Sequence, residues 1–292
     1  MPLTAYDTTL SLRYRKNDTI VVEEPFKPLD VKSKSEIVEI TLRQPLYRTL
    51  TRELAVALTG ERLYNETFLL GEPFAFSPGA ENGKSTVTAV RLAVEWIDRP
   101  PNQVIAARSR FSVGIDALGA TTHPAGVPDG RFFAWLGQFQ WARRLTTWDL
   151  QGLFRLDVQL STDPLLPLEQ IAVGGRFSVR GYRENQLVRD NAVIAALEGR
   201  IPLVRNKPWA DFVQLAPFVD FGHAWNTDQP TPAPKAIASV GVGLRWAATL
   251  TTPMRLRSQL EVYWGYPLKD VDTPGGNLQD LGLHIQFVVI AL

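Results

Sequence analysis

The sequence has no cysteine and three histidines in 292 residues. Without Cys there is no thiol nucleophile, no thiolate-held zinc and no disulfide scaffold. Neither sign of charge is in excess, 31 Lys+Arg standing against 30 Asp+Glu. There is thus no basic face for nucleic acid, which is not expected as a partner. No apolar run of about 18 residues is present to make a spanning helix. The Met1-Pro2-Leu3-Thr4 start shows no basic segment followed by an apolar one, so no signal peptide is visible. Neither G-x-S-x-G nor H-E-x-x-H occurs, and there is no nucleotide motif. His123 falls in a loop, His223 on an outward parity near a rim, and His284 inward with no Ser and acid at its height. Catalysis is not expected, and neither is a cofactor or a metal.

What the chain has instead is alternation. From Trp148 to Ser161, Trp148, Leu150, Phe154, Leu156, Val158 and Leu160 share one face, and Asp149, Gln151, Arg155, Asp157, Gln159 and Ser161 the other. From Arg131 to Arg144, Phe133, Trp135, Phe139 and Trp141 oppose Gln138, Gln140 and Arg144. The pattern recurs over Ser85–Trp96, Val104–Ala117, Leu256–Tyr266 and Leu281–Ala291. Less regular strands fit at Thr8–Arg15, Thr19–Glu24, Glu36–Leu42, Leu50–Thr59, Asn191–Leu203, Phe212–Trp225 and Ser239–Ala247. Runs of about 10 to 14 residues exceed the ~5–6 of an ordinary soluble strand and match a tilted membrane strand.

Connection lengths point the same way. Short ones (Lys16–Asp18, Arg43–Thr49, Asp98–Gln103, Leu145–Thr147, Val204–Asp211, Ala248–Met254) alternate with long ones (Pro25–Ser35, Gly60–Lys84, Leu118–Gly130, Thr162–Asp190, Asn226–Ala238, Pro267–Asp280). A soluble sandwich has no reason to sort its loops by parity, whereas an outer-membrane barrel has short turns on one rim and long loops on the other. The expected fold is all-β: a transmembrane antiparallel β-barrel occupying residues 1–292, located in the outer membrane. Trp135, Trp141, Trp148, Trp246 and Trp264 are expected at the lipid interfaces. About thirteen strands are counted, an odd number where even counts are the rule. With the missing signal peptide, this leads to the expectation of a barrel cut short at its N-terminal side.

The longest loop, residues 162–190, holds Gly174-Gly175-Arg176-Phe177-Ser178-Val179-Arg180-Gly181-Tyr182. Its glycines permit a tight tip, and its length permits folding back into the pore. In Phe212 to Gly222, Val213, Leu215, Val219 and Phe221 form the apolar face, so Asp220 points into the lumen with Gln214 and Gly222. Small Gly222 leaves room for something to approach the wall. Arg180 and Asp220 are therefore candidates for a bidentate pair, a geometry Lys cannot copy. Spacing alone leaves open that each is a solvated wall charge, the reading given to Arg155, Asp157, Glu198 and Arg200.

Val179-Arg180-Gly181-Tyr182 resembles the V-R-G-Y/F signature of the two-partner secretion transporters, the haemolysin activation/secretion family, and of the related barrel-assembly insertases. Phe218-Val219-Asp220-Phe221-Gly222 resembles their partner motif, F-x-D-x-G. The resemblance implies that Arg180 reaches from the sixth long loop into the pore to pair with Asp220, with Gly181 and Tyr182 shaping the tip. It implies a sixteen-strand barrel preceded by a signal peptide, a plugging helix and two POTRA domains, of which this chain holds the C-terminal barrel part. Leu292 departs from the aromatic residue often found at such C-termini. The implied function is export of one large unfolded exoprotein, a haemolysin or adhesin, to the cell surface, driven by folding outside. The alternative is an assembly insertase of the same superfamily. The implied partners are that exoprotein, outer-membrane lipid, and the barrel-assembly machinery during insertion.

Overall fold

The computed structural model describes residues 7–20, 27–124, 126–145, 148–251, 255–271 and 278–291. The start at Met1–Thr4, the expected strand residues 21–24, Leu292 and parts of the turns expected at 145–147, 248–254 and 267–280 lie outside them. The elements are β1 (Thr9–Ile20), a single 3-10 turn (Lys27–Leu29), β2 (Lys32–Arg48), β3 (Arg52–Leu69), β4 (Glu72–Pro73), β5 (Lys84–Asp98), β6 (Gln103–Gly114), β7 (Phe133–Arg144), β8 (Gln151–Ser161), β9 (Ile171–Val173), β10 (Leu187–Arg189), β11 (Asn191–Lys207), β12 (Ala210–Trp225), β13 (Ala236–Thr251), β14 (Arg255–Pro267) and β15 (Leu283–Ala291).

All of the strands except β9 and β10 belong to one antiparallel sheet. Its hydrogen-bonded order is β1-β2-β3-β5-β6-β7-β8-β11-β12-β13-β14-β15, with β4 attached to β3 as the thirteenth member. Every consecutive pair is an up-down neighbour, as in a barrel wall. Among the described residues the sheet is not closed on itself: β1 and β15 are its two edges. Connections at 49–51, 99–102, 145–150 and 208–209 are short, whereas those at 70–83, 115–132, 162–190, 226–235 and 268–282 are long. They alternate along the chain, so each rim carries one kind.

Burial in the wall is inverted relative to a soluble protein. On β5, Val90, Leu92 and Val94 are 41%, 48% and 37% exposed, while Arg91 between them is 5% exposed. On β12, Val219 and Phe221 face outward and Phe218, Asp220 and Gln214 are buried. Apolar groups outside and charges inside is the arrangement that lipid on one face and a polar lumen on the other require. Trp148 and Trp264 are exposed on the outside, as expected for interfacial aromatics.

Some details differ from the sequence reading, among them the turn expected at Arg43–Thr49, most of which is the end of β2. Lys16-Asn17-Asp18 is not a turn but the interior of β1. Opposite charges across the strand pair, Lys16 against Glu36 and Asp18 against Lys34, outweigh the local turn preference of Asn-Asp. Lys16 Nζ lies 3.3 Å from Glu36 Oε1. Among the described residues, twelve strands thus run along the wall. Gly60 does not open a loop but lies mid-strand in β3, between Ile40 and Val90. Finally, the 162–190 loop has secondary structure of its own, because β9 and β10 pair within it as a two-stranded ribbon.

Candidate functional site

The 162–190 loop packs against the charge-bearing face of the sheet because it carries its own apolar surface. Leu165 and Leu166 pack with Leu63, Val87, Ala89, Phe132 and Ala134 of the wall region. Val173, Val179, Tyr182 and Leu187 pack with Ala192, Ile194, Ala224 and Ile237. At the loop's root, Asp190 is buried and satisfied. Its Oδ1 accepts from the Leu165 N–H (3.1 Å) and Gln170 Nε2 (2.9 Å), and its Oδ2 from the Thr227 N–H (2.9 Å). Hydrophobic burial thus seats the loop, and fixed carboxylate contacts give it one register.

The tip turns at Gly174 and Gly175, with φ of 115° and 91°, a region L side chains rarely adopt. Ser178 Oγ accepts from the Gly174 N–H and Gly175 N–H donates to the Val179 carbonyl, which closes the turn. This delivers Arg180 to β12. Arg180 Nε donates to Asp220 Oδ2 (2.8 Å) and Nη2 to Asp220 Oδ1 (2.9 Å), the two-point fork that spacing only allowed as a candidate. The Arg180 backbone N–H adds a third bond to Oδ2, at 3.0 Å.

Four neighbours complete the seat. Glu198 of β11 accepts from Arg180 Nη1 (2.5 Å) and is itself bound by Arg200 Nε (2.8 Å). The two cations and two carboxylates balance, which removes the cost of a lone buried charge. Phe218 and Tyr263 flank the guanidinium, whose Cζ lies 3.6 Å and 4.9 Å from their ring centroids. Desolvated cation–π contacts of this kind contribute up to about 2 kcal/mol. His284 of β15 accepts the Gly181 N–H at Nε2 (3.1 Å), so this imidazole carries its proton on Nδ1.

Small residues make the approach possible. A Cβ on Gly222 would stand 2.3 Å from Val173 Cγ1 and 3.0 Å from Val179 Cγ2. The room expected at Gly222 is therefore filled by the loop. The Tyr182 hydroxyl accepts from the Lys269 N–H (3.2 Å) and donates toward the Ala238 carbonyl (2.9 Å), with the Lys269 carbonyl at 3.0 Å. It thereby ties the tip to the rim beyond β13 and β14.

The structure thus brings together Val179, Arg180, Gly181, Tyr182, Phe218, Asp220 and Gly222. Glu198, assigned to the bare wall by the sequence reading, belongs to the cluster instead. A signal for it existed: it lies on β11 directly opposite Phe218, on the lumen parity next to Asp220. Arg155 is also more than wall, since its Nη1 donates to the Phe177 carbonyl at the tip and its Nε to Asp157 Oδ2 (2.5 Å). Tyr263 and Gly265 carried no signal, and His284 only its inward parity, because docking of the loop alone decides which rungs of β14 and β15 it meets. Of the other histidines, His123 Nε2 lies 2.9 Å from the Gly79 carbonyl and His223 stacks obliquely on Trp225.

The family described as haemolysin secretion/activation protein ShlB/FhaC/HecB matches residues 1–246. Among solved structures, "CdiB from Escherichia coli" superposes with a TM-score of 0.74 at 18% identity, covering 98% of this chain and 51% of that one. "CdiB from Acinetobacter baumannii" gives a TM-score of 0.66 at 16% identity, covering 97% and 47%. BamA from Haemophilus ducreyi lacking POTRA domains 1–3 gives 0.65 at 15%, covering 100% and 60%. At these identities the likeness is one of fold, and the chain spans about half the length of the CdiB structures. No curated protein matches.

Proposed function

Because this chain belongs to the haemolysin secretion/activation protein family, we propose that it is the barrel part of an outer-membrane translocator in two-partner secretion. A chain of this family works in the outer membrane of a Gram-negative-type bacterium. The cargo we assign is one large exoprotein, passed unfolded from periplasm to surface and folding outside. Its partners are the exoprotein, membrane lipid and, during insertion, the barrel-assembly machinery. Residues 1–292 form the barrel domain and 162–190 its lumen-inserted loop. Val179-Arg180-Gly181-Tyr182 docks the loop on the Phe218, Asp220 and Gly222 face.

The observation that carries this reading is the buried Arg180–Asp220 fork, 2.8 and 2.9 Å long, between a loop tip and a lumen-facing strand. A general porin has no need of it. The fork performs no chemistry. It fixes the position of a segment that otherwise competes with the cargo for the same lumen. The test is Arg180→Ala, with exoprotein at the cell surface as the readout and heat-modifiable gel migration as the check on insertion. Secretion is expected to fall while the barrel stays inserted; undiminished secretion overturns the role.

The insertase reading shares the fold, as the BamA likeness illustrates. The family match favours secretion. Depletion of the protein separates the two: loss of one exoprotein supports secretion, and loss of many outer-membrane barrels supports assembly.

A further inference from the structure

The loop makes a second charged contact, on the other side of the lumen and with its polarity reversed. Arg91 of β5 donates from Nη2 to Glu169 Oε1 (2.6 Å) and from Nη1 to Glu169 Oε2 (3.0 Å). Here the wall supplies the arginine and the loop the carboxylate. Arg91 is further fixed by Glu61 Oε2 (2.7 Å from Nε) and Ser112 Oγ (2.9 Å from Nη1). Both side chains are almost wholly buried. Gln159 Nε2 holds the backbone on the same arm of the loop, donating to the Glu169 carbonyl at 2.9 Å. Between β5 and β12 lie β6, β7, β8 and β11, so the two contacts grip well-separated parts of the wall.

We propose that Glu169 and Arg91 form a second clamp that positions the 162–190 loop across the β3–β5–β6 half of the lumen, and that this clamp releases when the lumen opens. The inference rests on the reading of this loop as a lumen plug. Reversed polarity gives the loop a single register, because Arg180 placed against Arg91, or Glu169 against Asp220, meets a like charge. The surroundings decide which clamp yields. Asp220 is fully buried, under the Arg180 backbone N–H and beside Phe218. Arg180 lines a cavity of about 350 Å³ that Asp220 does not reach, whereas both Arg91 and Glu169 line a polar cavity of about 420 Å³, which they share with Arg110, Asp157 and Gln138. Both ions of this clamp face a cavity with room for water and counter-charges once they part, so separating them costs less than at Asp220. Arg110 has a buried Nε without a partner among the described residues, leaving a second cation for a released carboxylate in the same cavity.

The test is single-channel conductance of the full-length protein in planar bilayers, comparing Glu169→Gln, Arg91→Lys and Arg180→Ala with the unaltered protein. Equal heat-modifiable migration establishes that each variant is folded. Gln is isosteric with Glu, so a role in packing alone leaves conductance unchanged. Loss of the charge-assisted fork is expected to raise the open fraction about tenfold in Glu169→Gln, and by less in Arg91→Lys, which keeps the charge without the fork. An effect of Arg180→Ala with none of Glu169→Gln overturns the second clamp and leaves the plug reading standing. No effect of any variant overturns both.

Discussion

Gly181 of the loop and Gly265 of β14 meet backbone to backbone. A Cβ on Gly265 would stand 2.7 Å from Gly181 N and 2.8 Å from its Cα; one on Gly181 would stand 2.9 Å from the Gly265 carbonyl oxygen. This contact sets how deeply the tip seats, and with it whether Arg180 reaches Asp220. Gly265→Ala is therefore expected to displace the tip without altering any charge. Neither backbone can give way as a flexible side chain would, and overpacking of this kind costs about 1–3 kcal/mol. Protease sensitivity of the loop in intact cells checks it; a loop as protected as in the unaltered protein counts against the contact's role.

Asp220→Asn is expected to destabilise the docked loop by up to about 3–5 kcal/mol, since it removes the forked carboxylate and leaves Glu198 alone to balance Arg180 and Arg200. Arg180→Lys is expected to restore little, because an ammonium cannot span both carboxylate oxygens. Loop accessibility to a thiol reagent is a clean readout: one cysteine introduced at Phe177 reports alone, as the sequence has no other.

Glu198→Gln is expected to have a smaller effect than Asp220→Asn. Arg180 loses the charge on one partner of its Nη1 but keeps the fork, and a hydrogen bond to a charged group contributes about 1.5–3 kcal/mol. The same assay ranks the two substitutions, and a Glu198→Gln effect as large as that of Asp220→Asn argues that Glu198 is the main anchor.

On the long-loop rim, Asp129 gives a pH dependence of known sign. Burial raises its pKa, but the His123 N–H and the Arg131 guanidinium and N–H outweigh burial and hold the carboxyl below its usual range. A depressed pKa contributes stability that is complete above the unfolded value, near 3.9, and is lost as pH falls through the folded one. The 115–132 connection is thus expected to resist protease unchanged from pH 7 to 5 and to loosen only below about pH 4. Asp129→Asn is expected to abolish the pH dependence, with the connection already loosened at pH 7.

Much of this fold was legible because barrel strands obey a two-residue period over long runs. Leu156, Val158 and Leu160 against Asp157 and Gln159 suffice to set the faces of β8. Asp220 and Gly222 were placed for the same reason. Lys16–Asp18 misled because a turn signal is local, whereas the pairing with Lys34–Glu36 that overrides it lies across the sheet. Glu198 was on the right face but indistinguishable from other wall carboxylates until the loop's depth was known. Arg91 and Glu169 are 78 residues apart, and no periodicity links a loop residue to a wall rung.

The β9–β10 ribbon bears on how the loop can move. Leu187 pairs with Val173, Val188 with Ala172 and Arg189 with Ile171, so the tip is carried on a short stiff stem. Fraying one arm breaks the ladder that holds the other. The tip and stem are therefore expected to move as one unit about the root that Asp190 fixes, so that the tip undocks in one step and not by gradual peeling.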